Sequence, residues 1–584
     1  MRSLRDRLRG AQPVIEPSSI DDDAVTVWNN LYTLGIGSIG AVDDRGVIYP
    51  DRRPLSVEVW FGVGERWLRG GSGDGVRQLR VNGLPIVETR QRVGESDLVQ
   101  TAWADESGDG QGRINIELAN ETDDAVIAAV VVRPFERLSA GSISAIRSTG
   151  TFIVANGRPI VDLGREPGDS ATALDLDRSR PAVLESVSLP TGERAGSEEM
   201  SDAEGRASLA AMIPLTPGVE RTIQVLDGRE EATIAPAPLD AVVRGWAHHV
   251  GSAGEVDLPT WPNHLFASLT SSLLGAAGER RRPLGDQTWS LTDDALLVCA
   301  LGATGLGEAG TEIVGELIRN LRAGNVEHAR WPDVAAALAA VVDTVDGQAL
   351  LTRERETVAS VAGYVLSTSK DNAITTSLIE AVEISNGHDA AVDAAQIVGK
   401  PGDGSTARAL LRHGWTQPSD EHLAESSGDR PTDPEQVAFN MVASMQRGTP
   451  SEPLVALRSA AGSSWRWTRD SCGDSPHVRA QLAIGLVSWC RRVSVTPSGH
   501  VIDLLPGMRR SWYGQPVSFS RLPVAGARLS CALRWHGARP ALLWEFNGDM
   551  PDGYRLTCAA LDPEFESRES SGEVLLNVPP DAQS

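Results

Sequence analysis

Four groups of carboxylates carry most of the acid–base capacity legible in the 584 residues. They are Asp286-Gln287-Thr288-Trp289 with Asp293-Asp294 close behind, Trp331-Pro332-Asp333, Asp433-Pro434-Glu435-Gln436, and Trp465-Arg466-Trp467-Thr468-Arg469-Asp470 running into Gly473-Asp474. Paired carboxyl groups suit cleavage of a glycosidic bond, which needs two of them roughly 5 to 9.5 Å apart, one protonated and one ionised. Indole rings beside them offer flat apolar faces to a sugar. An acid in a first helical turn also compensates the helix dipole, and each group taken singly fits that role as well.

Other chemistries find little material. Gly35-Ile36-Gly37-Ser38-Ile39-Gly40 matches GxGxxG, but the strand-turn-strand pattern AVDDRGVIYP follows it. A dinucleotide site needs a helix N-terminus there, so the run reads as a tight turn. The ten histidines include no HExxH and no His/Cys pairing at zinc spacing, and His248 and His249 are adjacent and must diverge. There is no GxSxG. No cofactor and no metal are expected. Five cysteines without a CxxC read as reduced, buried thiols of a cytoplasmic protein.

A net charge of −24 argues against a nucleic-acid partner, which needs a basic face. All but two of the 54 basic residues are arginine, the exceptions being Lys370 and Lys400, a bias of genome composition rather than of function. No apolar run reaches the ~18 residues of a membrane span. The basic start MRSLRDRLRG leads into AQPVIEPSSIDDD rather than into the apolar core of a secretory signal.

The elements that must position these residues fall into three blocks. Up to about residue 255, segments such as LSVEVWFGV, VQTAWADE and TFIVANGRPIVDL alternate between Gly/Asp/Asn turns, predicting a β-sandwich with a polar insertion around 194–206. INIELANETDDAVIAAVVVRPF reads as two antiparallel strands joined by a polar turn. From 256 to 492 the apolar period becomes helical, as in LFASLTSSLLGAAG, AGTEIVGELIRNLR and PEQVAFNMVASMQR, with short connections that make neighbours antiparallel. Residues 417–433 read as an exposed loop, with Asp433 capping the next helix and Pro434 at its first position. From 493 to 584 strands return. Within them LSCALRWHGARPALLWEF, Leu529 to Phe546, predicts a hairpin turning at His536-Gly537-Ala538, with Trp535 or Trp544 as a packing wedge.

Three segments resemble the multidomain glycoside hydrolases built on an (α/α)6 toroid, the glucoamylase-like clan. LYTLGIGSIGAVDDRGVIYPDRRPL (31–55) is similar to the opening hairpin of their N-terminal sandwich. GDQTWSLTDDALLVCALGATGLGEAG (285–310) is similar to their loop-plus-helix segment, with Thr292-Asp293-Asp294-Ala295 where the clan has Arg-Asp-Gly-Ala. SSWRWTRDSCGDSPHVRAQLAIGLVSWCRR, with the strands that follow to residue 545, resembles the last toroid helix and the C-terminal β-domain. Asp433-Pro434-Glu435-Gln436 resembles the sequence around a glucoamylase catalytic base. The resemblance implies a multidomain α and β protein: an N-terminal β-sandwich, a central six-hairpin α/α toroid, and a small C-terminal antiparallel β-domain. Nine clear helices are legible where the ring needs twelve, so the toroid is expected to be trimmed. The hairpin wedge would then pack against the last toroid helix.

Two readings of function follow. In the first, the protein hydrolyses an oligo- or polysaccharide by a two-carboxylate, inverting mechanism, with Glu435 or Asp474 as base and an acid from Asp286 or Asp333. Trp289, Trp465, Trp467 and His477 would line the pocket. In the second, the scaffold binds carbohydrate or supports assembly without catalysis, a reading favoured by the short helical region and the missing motif residues.

Overall fold

The computed structural model describes most of residues 27–164, 199–368 and 483–577, with the short strands 173–175 and 467–468. Cα packing divides the chain into two compact units. One holds residues 1–247 with 284–286 and 460–470; the other holds 248–283, 287–459 and 471–584.

The first unit contains two nine-stranded sheets, as the alternation predicts. Along Ser96–Glu106, Leu98, Ala102 and Ala104 fall on one face, and they join Ile114, Ile116 and Leu118 of Gly112–Asn120 in a core of aliphatic side chains. This is the period-2 rule at work. GxGxxG opens the Gly37–Asp43 strand, which pairs with Ile48–Pro50, so no helix follows it.

INIELANETDDAVIAAVVVRPF departs from the expected pairing. Gly112–Asn120 pairs with Ser96–Glu106 and Glu220–Val225 in one sheet, whereas Val126–Pro134 pairs with Leu55–Val63 and Leu209–Leu215 in the other. The polar turn therefore arches between sheets. Asn120 holds the arch: its carbonyl oxygen accepts from the Thr122 amide at 2.9 Å, and its amide donates to the Asp124 and Leu215 carbonyls at 2.8 and 3.0 Å. Period alone is the same for a hairpin and an arch, because both put alternate residues into one core.

Helix Leu239–Ser252 (α1) lies within the region where the sequence predicts strands. It buries only Val243 and Trp246, and Asp240 pairs with Arg244 one turn on at 2.6 Å. So narrow a stripe leaves little helical period to detect. His248 and His249 diverge as expected, their rings 5.5 Å apart and 78° to one another.

Among the described residues up to 368, six helices follow: Leu265–Arg281 (α2), Leu291–Thr304 (α3), Gly307–Arg322 (α4), Trp331–Ala340 (α5), Val345–Arg353 (α6) and Arg355–Thr368 (α7). Each packs on the helix two places on: α2 on α4, α3 on α5, α4 on α6, α5 on α7. Neighbours in sequence pack across the two rows so formed, α2 on α3, α3 on α4 and α6 on α7 among them. α3 and α5 bury Leu297, Val298, Leu301, Val334 and Leu338 completely, whereas α4 buries Ile313, Val314, Leu317 and Ile318 and turns its charges outward. The predicted helices 374–387, 389–399 and 434–447 and the loop 417–433 lie outside the described residues.

Two sheets complete the second unit. Glu255–Asp257, Val517–Val524, Ala527–His536, Arg539–Asn547 and Ser571–Leu575 form one, in that order. The other contains Val495–Ser498, Val501–Leu504, Arg555–Cys558 and Asp562–Ser567. Pairing is antiparallel except between Val501–Leu504 and Arg555–Cys558, which run parallel. The chain between those two strands detours through the five-stranded sheet, which supplies the crossover that a parallel pair requires.

The predicted hairpin is present, with His536 paired to Arg539 around Gly537 at φ 64. Trp544 is buried, and two of its ring neighbours belong to the β-strands. It meets Phe565 edge-on at 5.5 Å, and a Cβ on Gly572 would come within 2.4 Å of its ring.

Arg528 ties this sheet to the helices. Its guanidinium donates to the carbonyl of Ser252 at the end of α1 at 3.0 Å, and to that of Gly305 just past α3 at 3.1 Å. A cation at helix C-termini satisfies carbonyls that lack partners within the helix. Arg528→Ala is expected to cost about 2 kcal/mol, in the range of hydrogen bonds to a charged group. Urea denaturation checks this, and an unchanged midpoint would contradict the role.

Candidate functional site

The carboxylates and tryptophans singled out in the sequence divide sharply. Asp286, Glu435, Trp465, Asp474 and His477 lie outside the described residues, as do the side chains of Asp333 and Trp467. Asp333 occupies the third position of α5. Trp467 lies in a two-residue strand that pairs with Val27–Thr33 in the first unit, its Cα opposite Trp28. Trp289 is half-buried just ahead of α3.

Asp294 has a defined structural task. Arg280 of α2 grips it with two hydrogen bonds, one of them Nη2 to Oδ2 at 2.8 Å, and reaches Glu316 of α4 with Nη1. Burial pushes the Asp294 carboxyl above its ordinary range, and the guanidinium opposes that shift. Burial also works against the charge on Arg280, yet Asp294 and Glu316 together hold its pKa up. One charged knot thus fastens three helices.

The five-stranded sheet carries a cavity of about 1010 Å³ within the second unit. Three successive rows of the sheet line it. The middle row is Val256, Phe519, Cys531, Trp544 and Gly572, paired strand to strand. Its side chains are directed to the opposite face, where Trp544 meets Phe565. The flanking rows face the cavity. One runs Asp257, Ser518, Ala532, Leu543, Glu573; the other contains Glu255 and Ser520, then Ser530, Glu545 and Ser571. The start of α2 and Cys490 supply further lining, with His264 just before α2. Burial pushes the Cys490 thiol well above its ordinary range, so it remains protonated and is no nucleophile.

Four carboxylates thus surround one cavity. Glu545 pairs with Ser571 and Leu543 with Glu573, so Glu545 and Glu573 are diagonal neighbours, with Cβ atoms about 7–8 Å apart. Glu255 and Asp257 are two residues apart on an edge strand, about 6.7 Å along it. Ser518, Ser520 and Ser530 stand between the two pairs, and Ser571 lies opposite Glu545 on the far edge strand. The arrangement can bind a ligand rich in hydroxyl or amine donors. Sequence reading missed it because Ser and Glu at alternate positions of VSFSR, RLSCA, LLWEF and SGEVL have the period of any solvent-facing strand. The signal was there, but the strand order that collects the four segments was not.

Among the described residues, no group of three or more His, Cys, Asp and Glu is placed to hold a metal ion. No helix among them is long and apolar enough to cross a membrane.

No protein-family model matches this chain, and no curated protein does. Among solved structures it is similar to a putative kojibiose phosphorylase from human microbiome, at 6% identity over 96% of this chain and 100% of that one, with a TM-score of 0.37. It is also similar to a family GH92 alpha-mannosidase from Bacteroides thetaiotaomicron, at 7% identity over 90% of this chain and 88% of that one, with a TM-score of 0.26. Likenesses this loose carry no argument about mechanism.

Proposed function

We propose that this chain is a carbohydrate-processing protein on the scaffold of the toroid glycoside hydrolases, with domains at 1–255, 256–492 and 493–584. The observation that carries the reading is the two-row succession of α2 to α7 between a β-sandwich and a β-domain. Two rows of helices, each packing on the helix two places on, are compatible with successive α/α hairpins. Continued through the helices expected up to residue 492, the rows would form the trimmed toroid. Glu435 or Asp474 would act as base in an inverting reaction, and Asp286 or Asp333 as acid. The buried thiols Cys490, Cys531 and Cys558, unbridged among the described residues, support a reducing, cytoplasmic setting.

A second reading, carbohydrate binding without catalysis, is favoured by Asp294. It stands in the segment most like the clan's loop-plus-helix, and it is committed to Arg280.

A panel of chromogenic glycosides and glycans, assayed with the wild type, Glu435→Gln and Asp474→Asn, tests the assignment. The expected result is hydrolysis of at least one substrate, lost at least a hundredfold in one variant. Equal activity in all three would overturn the assigned base, and binding without hydrolysis would select the second reading.

A further inference from the structure

Resting on the carbohydrate reading, we propose that Arg80, Tyr32 and Asn30 in the first unit bind the end of a glycan that carries a sugar acid, a ring with both a carboxylate and hydroxyls. The site is separate from the carboxylates of the proposed reaction. Arg80 ends the strand Val76–Arg80 and is 7% exposed. Beyond it the chain turns through Asn82 at φ 51 and Gly83 at φ 73, and the Leu84 carbonyl returns to accept from Arg80 Nε at 3.1 Å. Nη2 is buried and has no hydrogen-bond partner.

Charge selects the class of partner. Arg90 and Arg280 are withdrawn from water too, and the carboxylates beside them hold their pKa above the ordinary value. Arg80 behaves oppositely. Burial pulls its pKa down to about 10, and Tyr32 counters only part of that pull. Its charge is therefore not balanced from within the fold. A buried charge without a counter-charge is costly. An ionised carboxylate is the acceptor whose geometry matches the guanidinium fork.

Asn30 separates a sugar acid from a simple anion. The Tyr32 hydroxyl, which acts on the Arg80 charge, accepts from Asn30 Nδ2 at 2.6 Å. Asn30 is 1% exposed, and its Oδ1 is buried without a partner. The cluster thus presents an unused cationic donor and an unused acceptor, joined through one tyrosine. A halide can answer the first and a neutral sugar the second; a carboxylate and a hydroxyl on one ring answer both. Both side chains are more than nine-tenths buried, which suits the end of a glycan rather than its middle.

Calorimetric titration of the full chain with glucuronate, glucose, inorganic phosphate and sodium chloride tests the proposal. Glucuronate is expected to bind at least tenfold tighter than each of the others. Its affinity should fall at least tenfold in Arg80→Met and at least fivefold in Asn30→Ala. Without ligand, Arg80→Met should melt no lower than the wild type, because methionine replaces the apolar stem without its charge. A fall of about 4 °C or more would show that the guanidinium has a partner within the fold, and would overturn the premise. Equal affinity for glucose would overturn the role of charge, and equal affinity for phosphate or chloride would overturn the role of the sugar. Glucuronate binding unchanged in Arg80→Met would overturn the site. If glucuronate does not bind while neutral glycans are processed, this inference falls and the carbohydrate reading stands. If no glycan binds or reacts at all, both fall.

Discussion

Arg280→Ala is expected to destabilise the protein by about 3–5 kcal/mol, the cost of leaving buried charge without its partner. The arginine side chain is 8% exposed and that of Asp294 7%, so water cannot replace the lost guanidinium. Asp294 would be stranded between α2 and α3, and Glu316 on α4 would lose its link to them. Removing both partners together should cost less than removing Arg280 alone, because no buried orphan charge remains: Glu316 is partly exposed and keeps Arg319 at 3.7 Å. Urea denaturation of Arg280→Ala, Asp294→Ala and the double variant measures the coupling. A loss below about 1 kcal/mol for Arg280→Ala, or strict additivity in the double variant, would show that the knot does not fasten the helices.

The second large effect is a pH dependence at Asp43. Its carboxyl is fully buried at the turn between two strands of the first unit. Oδ1 accepts from the amides of Arg45 and Val47 at 2.9 and 2.8 Å, and Oδ2 accepts from the Tyr49 hydroxyl at 3.2 Å. Burial, reinforced by Asp44, pushes its pKa from 3.8 to about 7, against the pull of those amides and of Arg45. Between these two values the folded chain retains a proton that the unfolded chain has released. Stability from this group is therefore fully present below pH 3.8 and is lost as the pH rises through about 7. A shift of this size corresponds to about 4 kcal/mol as an upper bound.

Asp43→Asn keeps an oxygen for the two amides and offers Tyr49 a donor, and it cannot ionise. It should match the wild type near pH 4 and exceed it in stability at pH 8. Melting temperatures of both proteins from pH 4 to 8 provide the check; parallel profiles would show that Asp43 does not titrate in this range.

The sequence by itself determined the local elements, and particular residues show why. Leu98, Ala102 and Ala104 alternate into a core, α4 shows its buried stripe at helical spacing, and the His536–Gly537 turn lies where the hairpin requires it. These are near-neighbour effects, fixed by side-chain period and backbone sterics. Tertiary structure decided what period cannot encode. It sent the strands on either side of Asn120 into different sheets and turned Trp544 toward Phe565. It also brought Glu255, which precedes α2, onto the same sheet as Glu545 and Glu573, which follow α7. Alternation gives a carboxylate its face, but only strand order and register give it neighbours, and a binding site is made of neighbours.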